Sequence, residues 1–226
     1  VRGSPFAVRS PASTRGPRAK CREPHAARSP PIAQTLYLPP VTSESETALL
    51  TDELLLRFHE RVERGSSHGA HSQTDLDELR AAGYLRVPLP PAFGGAGLAL
   101  TEVGTEQRRL AYYATRVASL VSAHLTWVGV AAELWRRGDR SLQWILEEAA
   151  RDRLFTTAHM ERGNEGYLFS AATRAERVDG GYRFTGYKSL GSLGGAWHFL
   201  GIHGVDLSDP TRPHIVHAFL PRNTEG

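Results

Sequence analysis

The hydrophobic period of this chain changes once, near Leu154, and does not change back. Upstream, from about Glu44, apolar residues recur at helical spacing. Thr51 precedes Leu54, Leu55, Phe58 and Val62, an apolar stripe that Thr51 or Asp52 is placed to cap. A second helix is predicted from Thr74, with Leu76, Leu79 and Ala82 in phase and Gly83 positioned to end it in a left-handed conformation. The stretch "VPLPPAFGGAG" at 87–97 puts prolines and then glycines in succession, which supports turns and breaks any regular element. Helices resume over about 101–113, 117–136 and 141–151, the last with Leu142, Ile145, Leu146 and Ala149 on one face.

Downstream the period is two. Residues 173–178 and 182–188 are β-prone runs joined by Asp179-Gly180-Gly181, a hairpin signal because glycine accepts positive φ. Residues 197–205 and 215–220 read as further strands. No helix alternates with these strands, which argues against a doubly wound parallel sheet. The predicted fold class is α+β: an all-helical domain over 44–153, then a small antiparallel β domain over 154–226.

Residues 1–43 stand apart. They hold Arg2, Arg9, Arg15, Arg18, Arg22, Arg28 and Lys20 against Glu23 alone, and eight of the fourteen prolines. Such a segment cannot bury enough apolar surface to offset its chain entropy, so a disordered basic tail is expected. An Arg- and Ser-rich, acid-poor start is similar to an organellar transit peptide, but the prolines oppose the amphipathic helix that such a peptide needs. The formal charge of +3 belongs to this tail, since the rest of the chain carries more acids than bases. Nucleic-acid binding by the folded part thereby loses its electrostatic basis.

Cys21 is the one cysteine, which excludes an internal disulfide and a thiolate metal cluster and fits a reducing, cytoplasmic setting. The longest uncharged stretch, 117–132, is shorter than the roughly 20 residues of a spanning helix. It reads as a buried helix, with no membrane span expected. His124 on that helix is expected to be a hydrogen-bonded core or pocket-rim residue. His68 and His71 fall in a Ser/Gly-rich loop, while His214 and His217 point to opposite faces of one strand because their separation is odd. None has an acidic or Cys partner at metal spacing, so no metal ligand is assigned. "FGGAG" lacks the spacing of a phosphate cradle. Ser192 in "LGSLG" lacks the first glycine of a nucleophile elbow. Taken alone, the 173–188 hairpin is a structural unit and no more.

Three stretches in order change that reading. "VPLPPAFGGAGLAL", then "FTTAHMERGNEG", then "TRAE" followed by "DGGYRFTGYKSLGS", resemble in sequence and spacing the conserved stretches of acyl-CoA dehydrogenases over about 44–226. The resemblance implies a helical domain followed by a β-barrel-like domain, with FAD held between two strand ends. By position, Met160, Glu161, Leu190, Gly191 and Ser192 would bind the cofactor and Gly166 would lie on the substrate side. Met160 replaces a hydroxyl-bearing residue and Leu190 an aromatic one; Ser192 keeps a hydroxyl.

The implied reaction is α,β-desaturation of an acyl-CoA, with hydride transfer to flavin N5 and an electron-transfer partner downstream. In that family the catalytic glutamate and much of the oligomer interface belong to a C-terminal helical domain. No catalytic residue is therefore assigned, and none of Glu161, Glu165 or Asp206 is put in its place. A homo-oligomer is expected for a full-length chain. The altered side chains leave two alternatives open: a flavin monooxygenase of the same fold that uses oxygen, and a truncated, non-catalytic fragment.

Overall fold

The computed structural model describes residues 49–64, 70–161, 170–189, 193 and 195–224, all within the compact unit Glu44–Thr224. The expected tail, Gly166, and Leu190, Gly191 and Ser192 lie outside the described residues.

Helix α1 (Asp52–Glu63) begins where the sequence places it: the Thr51 hydroxyl accepts from the Leu54 N–H at 3.2 Å. Asp52 and Glu53 in its first turn complement the helix dipole, and Leu54, Leu55 and Phe58 are buried. Helix α2 (Ala70–Ala81) starts four residues before the expected Thr74, carried by residues with no helix breaker and by a Gln73–Asp77 side-chain hydrogen bond at 3.0 Å. Gly83 follows it at φ 72°. Residues 84–98 form two short 3₁₀ turns closed on themselves by Gly97 N–H to Leu89 O (2.8 Å) and Leu98 N–H to Val87 O (2.9 Å).

Helix α3 (Leu100–Arg136) joins the two expected helices across a non-helical Ala114 at φ −151°, ψ 78°. Its Glu102 carboxylate accepts from the Ala99 N–H at 2.7 Å, satisfying one donor of the first turn. The helix passes through two cores. Val103, Leu110, Val117, Val121 and Leu125 pack with α1, α2 and Tyr84, whereas Val128, Ala131 and Ala132 pack with Leu89, Phe155 and α4 (Gln143–Ala150). The uncharged stretch at 117–132 is thus a core segment.

The strands are β1 (Phe155–Ala158), β2 (Arg174–Val178), β3 (Gly181–Thr185), β4 (Phe199–Asp206) and β5 (His214–Pro221). β2 and β3 form the expected hairpin, with Gly180 at φ 81°. Strand β4 is central. Antiparallel β5 runs along one edge of it, Phe199 opposite Pro221 through Asp206 opposite His214. On the other edge parallel β1 pairs over the first half, and β2 meets Val205 through Arg174, also parallel.

The sheet is therefore mixed, which corrects the expected antiparallel domain: a period of two records which residues share a face, not the direction of the neighbouring strand. No pairing closes it into a barrel among the described residues. One face carries Ala158, Ala175, Phe184 and Ile202 with Leu200, Val216, Ala218 and Leu220. The other faces the helices and builds the site.

Candidate functional site

On the helix-facing side, strand register lines up Phe155 and Phe199, then Thr157, Gly201 and Phe219, then His203 and His217. His159, two residues beyond Thr157, continues the β1 row. The aromatic end is packed by α3 and α4: Phe155 stacks on Phe199 at 5.0 Å between ring centroids, and Trp144 meets Phe219 edge-on at 5.2 Å. Trp127 packs over Gly201, where an added Cβ would sit 3.0 Å from its indole Cζ2 and Nε1. Only glycine admits the indole this close.

Toward the other end the face turns polar. The rings of His159, His203 and His217 lie 5.0 Å (159 to 203), 5.7 Å (159 to 217) and 5.6 Å (203 to 217) apart. Burial holds all three below the ordinary imidazole range and Lys188 adds to that in each; His159, which also faces His203 and His217, is lowered to about 4, while at His203 the Ser170 carbonyl and Glu161 act the other way. All three are neutral at pH 7. Among the described residues no three His, Cys, Asp or Glu side chains have a metal-holding arrangement.

Lys188 closes this end. Its ammonium lies 2.6 Å from Glu161 Oε1 and 3.2 Å from His203 Nδ1. An ammonium only donates, so His203 Nδ1 is the acceptor and its Nε2–H donates to Ser170 O at 3.0 Å. Glu161 also accepts from the N–H groups of Ala172 (2.6 Å) and Thr173 (2.9 Å). One carboxylate and one ammonium thereby tie together the end of β1, the approach to β2, the residue row of β4 and the segment after β3.

Two of the sequence-predicted residues are in view. Met160 is 67% exposed, and its carbonyl accepts from the Ser189 N–H at 2.8 Å, so the first strand end and the start of "SLGS" are neighbours. Glu161 is adjacent but buried, and its side chain is engaged by the backbone and Lys188; only its main chain is left for a ligand. His124 is the core residue expected: its Nδ1 accepts from Phe155 N–H (3.3 Å), its Nε2 donates to Leu85 O (3.0 Å), and burial pushes it down to about 4. His214 and His217 do part company, His214 reaching the buried Asp206 at 3.3 Å. His68 lies outside the described residues.

The sequence reading missed Trp127, His159 and His203. Each strand carries an aromatic residue and a histidine at even separation, a signal that becomes visible only once the strands are written in register. Two atoms here have an unmet requirement: Trp127 Nε1 and His159 Nε2 are shielded from solvent and hydrogen-bonded to nothing. Leaving a buried polar group unpaired costs about 1–3 kcal/mol. The two rings meet edge to face at 5.7 Å.

No protein-family profile matches the sequence. The chain is 26% identical over 175 residues to a dibenzothiophene monooxygenase from Mycolicibacterium goodii, a match covering 77% of this chain and 42% of that protein. Its fold is similar to methanesulfinate monooxygenase MsuC from Pseudomonas fluorescens (25% identity, TM-score 0.55, 76% of this chain and 41% of that one). It is also similar to FMN-bound TdsC from Paenibacillus sp. A11-2 (21% identity, TM-score 0.59, 76% of this chain and 42% of that one). The chain thus spans about two-fifths of the length of these relatives.

Two of these proteins are named as monooxygenases and TdsC is FMN-bound, and the chain shares the α+β arrangement of their acyl-CoA dehydrogenase-like fold. They correct the expected chemistry: proteins named as monooxygenases of sulfur compounds, not acyl-CoA desaturases, are what the sequence and fold resemble. The resemblance of short motifs was to the fold, which both chemistries use; the reaction depends on side chains that those motifs do not record.

Proposed function

We propose that this chain is the N-terminal and middle part of a flavin-dependent monooxygenase that oxygenates a small organic molecule. The likeness to dibenzothiophene monooxygenase carries this reading. The Met160–Ser189 bridge supports it, because it brings the two motif stretches side by side as a flavin-binding edge requires.

The residues in view fit a flavin. An exposed thioether at Met160 suits packing against a planar ring. The main chain of Met160 and Glu161 is fixed by Ser189 and by the Lys188 clamp, so contacts made there would be preorganised. Leu190, Gly191 and Ser192 follow Ser189 directly and complete the proposed contact set, with Gly166 on the substrate side. Reduced flavin would supply the electrons by which one atom of dioxygen enters the substrate and the other leaves as water. The chain's own part is to hold the ring edge, keep neutral imidazoles beside it, and shield the pocket floor with Trp127 and the aromatic cluster.

The test is a titration of the protein with FMN and with FAD, followed by flavin fluorescence. It is paired with turnover of dibenzothiophene under ¹⁸O₂ in the presence of reduced flavin. Saturable quenching and ¹⁸O in the product are expected; absence of flavin binding in a protein of the relatives' full length would overturn the proposal.

A further inference from the structure

Met160 is the chain's one methionine, and its side chain is 67% exposed just beyond β1, on the proposed flavin edge. The side chains before and after it are engaged within the protein. His159 meets the rings of Trp127 and His203 edge-on, and Glu161 is held by Lys188 and the N–H groups of Ala172 and Thr173. Successive side chains of an extended segment point to opposite faces, so turning 159 and 161 inward leaves 160 outward. Its main chain is fixed all the same, the carbonyl accepting from the Ser189 N–H at 2.8 Å.

The chemistry of this side chain follows from its sulfur. A thioether sulfur carries lone pairs that attack electrophilic oxygen, and the product is a sulfoxide. Dibenzothiophene, for which one relative is named, presents the same kind of atom, a divalent sulfur between two carbons. A monooxygenase with an exposed thioether on its own flavin edge therefore carries an oxidisable sulfur beside the group that activates oxygen.

We propose that Met160 is a self-modification site: when no substrate is bound, the enzyme oxygenates its own Met160 thioether to the sulfoxide. The proposal rests on the monooxygenase reading. One atom of dioxygen bonds to the Met160 sulfur, and no bond of the side chain breaks. The other atom leaves as water, with two hydrogens and two electrons taken from reduced flavin, which is left oxidised. The sulfoxide replaces a flexible apolar contact by a polar one. Flavin affinity then falls by up to about tenfold, the worth of one sulfur–aromatic contact. Turnover without substrate thus loosens the enzyme's hold on flavin, and methionine sulfoxide reductases reverse the change.

The experiment incubates the protein with FMN, NADH, a flavin reductase and catalase under ¹⁸O₂, without substrate, and reads the tryptic peptide 154–162, LFTTAHMER, by mass spectrometry. Met160 supplies the only sulfur of that peptide. Catalase removes free hydrogen peroxide, and N-acetylmethionine in the same solution reports any that escapes. The peptide is expected to gain one ¹⁸O, only when FMN is present and to a far greater extent than N-acetylmethionine. Dibenzothiophene, added as a competing sulfur, should lower the labelling. FMN titration of the repurified protein should show the weakened affinity, recovered after treatment with sulfoxide reductases. Met160→Leu should show the same FMN affinity before and after the incubation.

An unlabelled peptide, labelling no greater than that of N-acetylmethionine, or labelling that persists without FMN would each overturn the self-modification. Complete oxidation of Met160 with no change in FMN affinity would overturn the loosening of flavin. Analysis of dibenzothiophene in the same mixtures keeps the two ideas apart. Dibenzothiophene that takes up ¹⁸O while Met160 stays unlabelled when substrate is left out overturns the self-modification alone. Flavin that fails to bind in a protein of the relatives' full length overturns the monooxygenase reading, and the self-modification with it.

Discussion

Lys188 and Glu161, 27 positions apart in the sequence, form an ion pair of 2.6 Å in which the Glu161 side chain is 1% exposed and that of Lys188 11%. Removing one partner of a buried pair leaves the other uncompensated. Glu161→Gln is expected to cost about 3 kcal/mol in urea unfolding, and Lys188→Met added to it to restore part of the loss. Strict additivity of the two changes would show that the pair is not coupled.

Gly201 and Trp127 make a second coupled pair. A methyl at 201 would stand 3.0 Å from the indole, so Gly201→Ala is expected to destabilise the fold by about 1–3 kcal/mol. The smaller ring of Trp127→Phe should reduce that penalty when the two are combined. Equal penalties in both backgrounds would mean that the crowding is relieved elsewhere.

His124 sets a pH dependence. Its folded-state value of about 4 lies below the unfolded 6.5, so between those values the unfolded chain binds the additional proton and stability falls as pH falls. The contribution is complete above pH 6.5 and is lost progressively toward pH 4, by roughly 3 kcal/mol in all. Urea unfolding at pH 7 and pH 5 should show the loss, and His124→Gln should flatten it. A variant as pH-sensitive as the parent would assign the slope to other groups.

Thr51 offers a smaller and cleaner test. Its hydroxyl caps α1 through the Leu54 N–H, and Thr51→Ala is expected to cost about 1 kcal/mol, with Thr51→Ser nearly neutral. Equal losses in both variants would deny the hydroxyl its capping role.

Local signals were legible wherever one element carries its own instruction. The Thr51 cap, the left-handed Gly83, the Asp179-Gly180-Gly181 turn and the break near Ala114 all follow from a few adjacent residues, and the structure has each of them. The direction of β1 and β2 against β4 was not legible, because pairing partners 44 positions apart, such as Phe155 and Phe199, leave no mark on either strand's own pattern. The histidine trio was hidden for the same reason: His159, His203 and His217 look solitary in sequence and meet only through register. At Glu161 the motif says nothing of the side chain's partners: its carboxylate serves Lys188 and the chain entering β2. The desaturase expectation failed at a different level, since a shared fold does not fix the reaction performed on it.

The same topology governs the order in which the molecule can assemble. The β2–β3 hairpin closes over a two-residue turn and needs nothing beyond its own twelve residues, 174–185. Strand β1, made earlier during synthesis, lacks its β4 partner until Phe199 to Ile202 have left the ribosome. Through that interval its edge is open and the aromatic wall of Phe155, Phe199 and Phe219 does not exist. The histidine end of this face, which adjoins the wall, is therefore among the last parts of the protein to form, and a chain interrupted before β5 would carry the motifs of the site without the strand that bears His217 and Phe219.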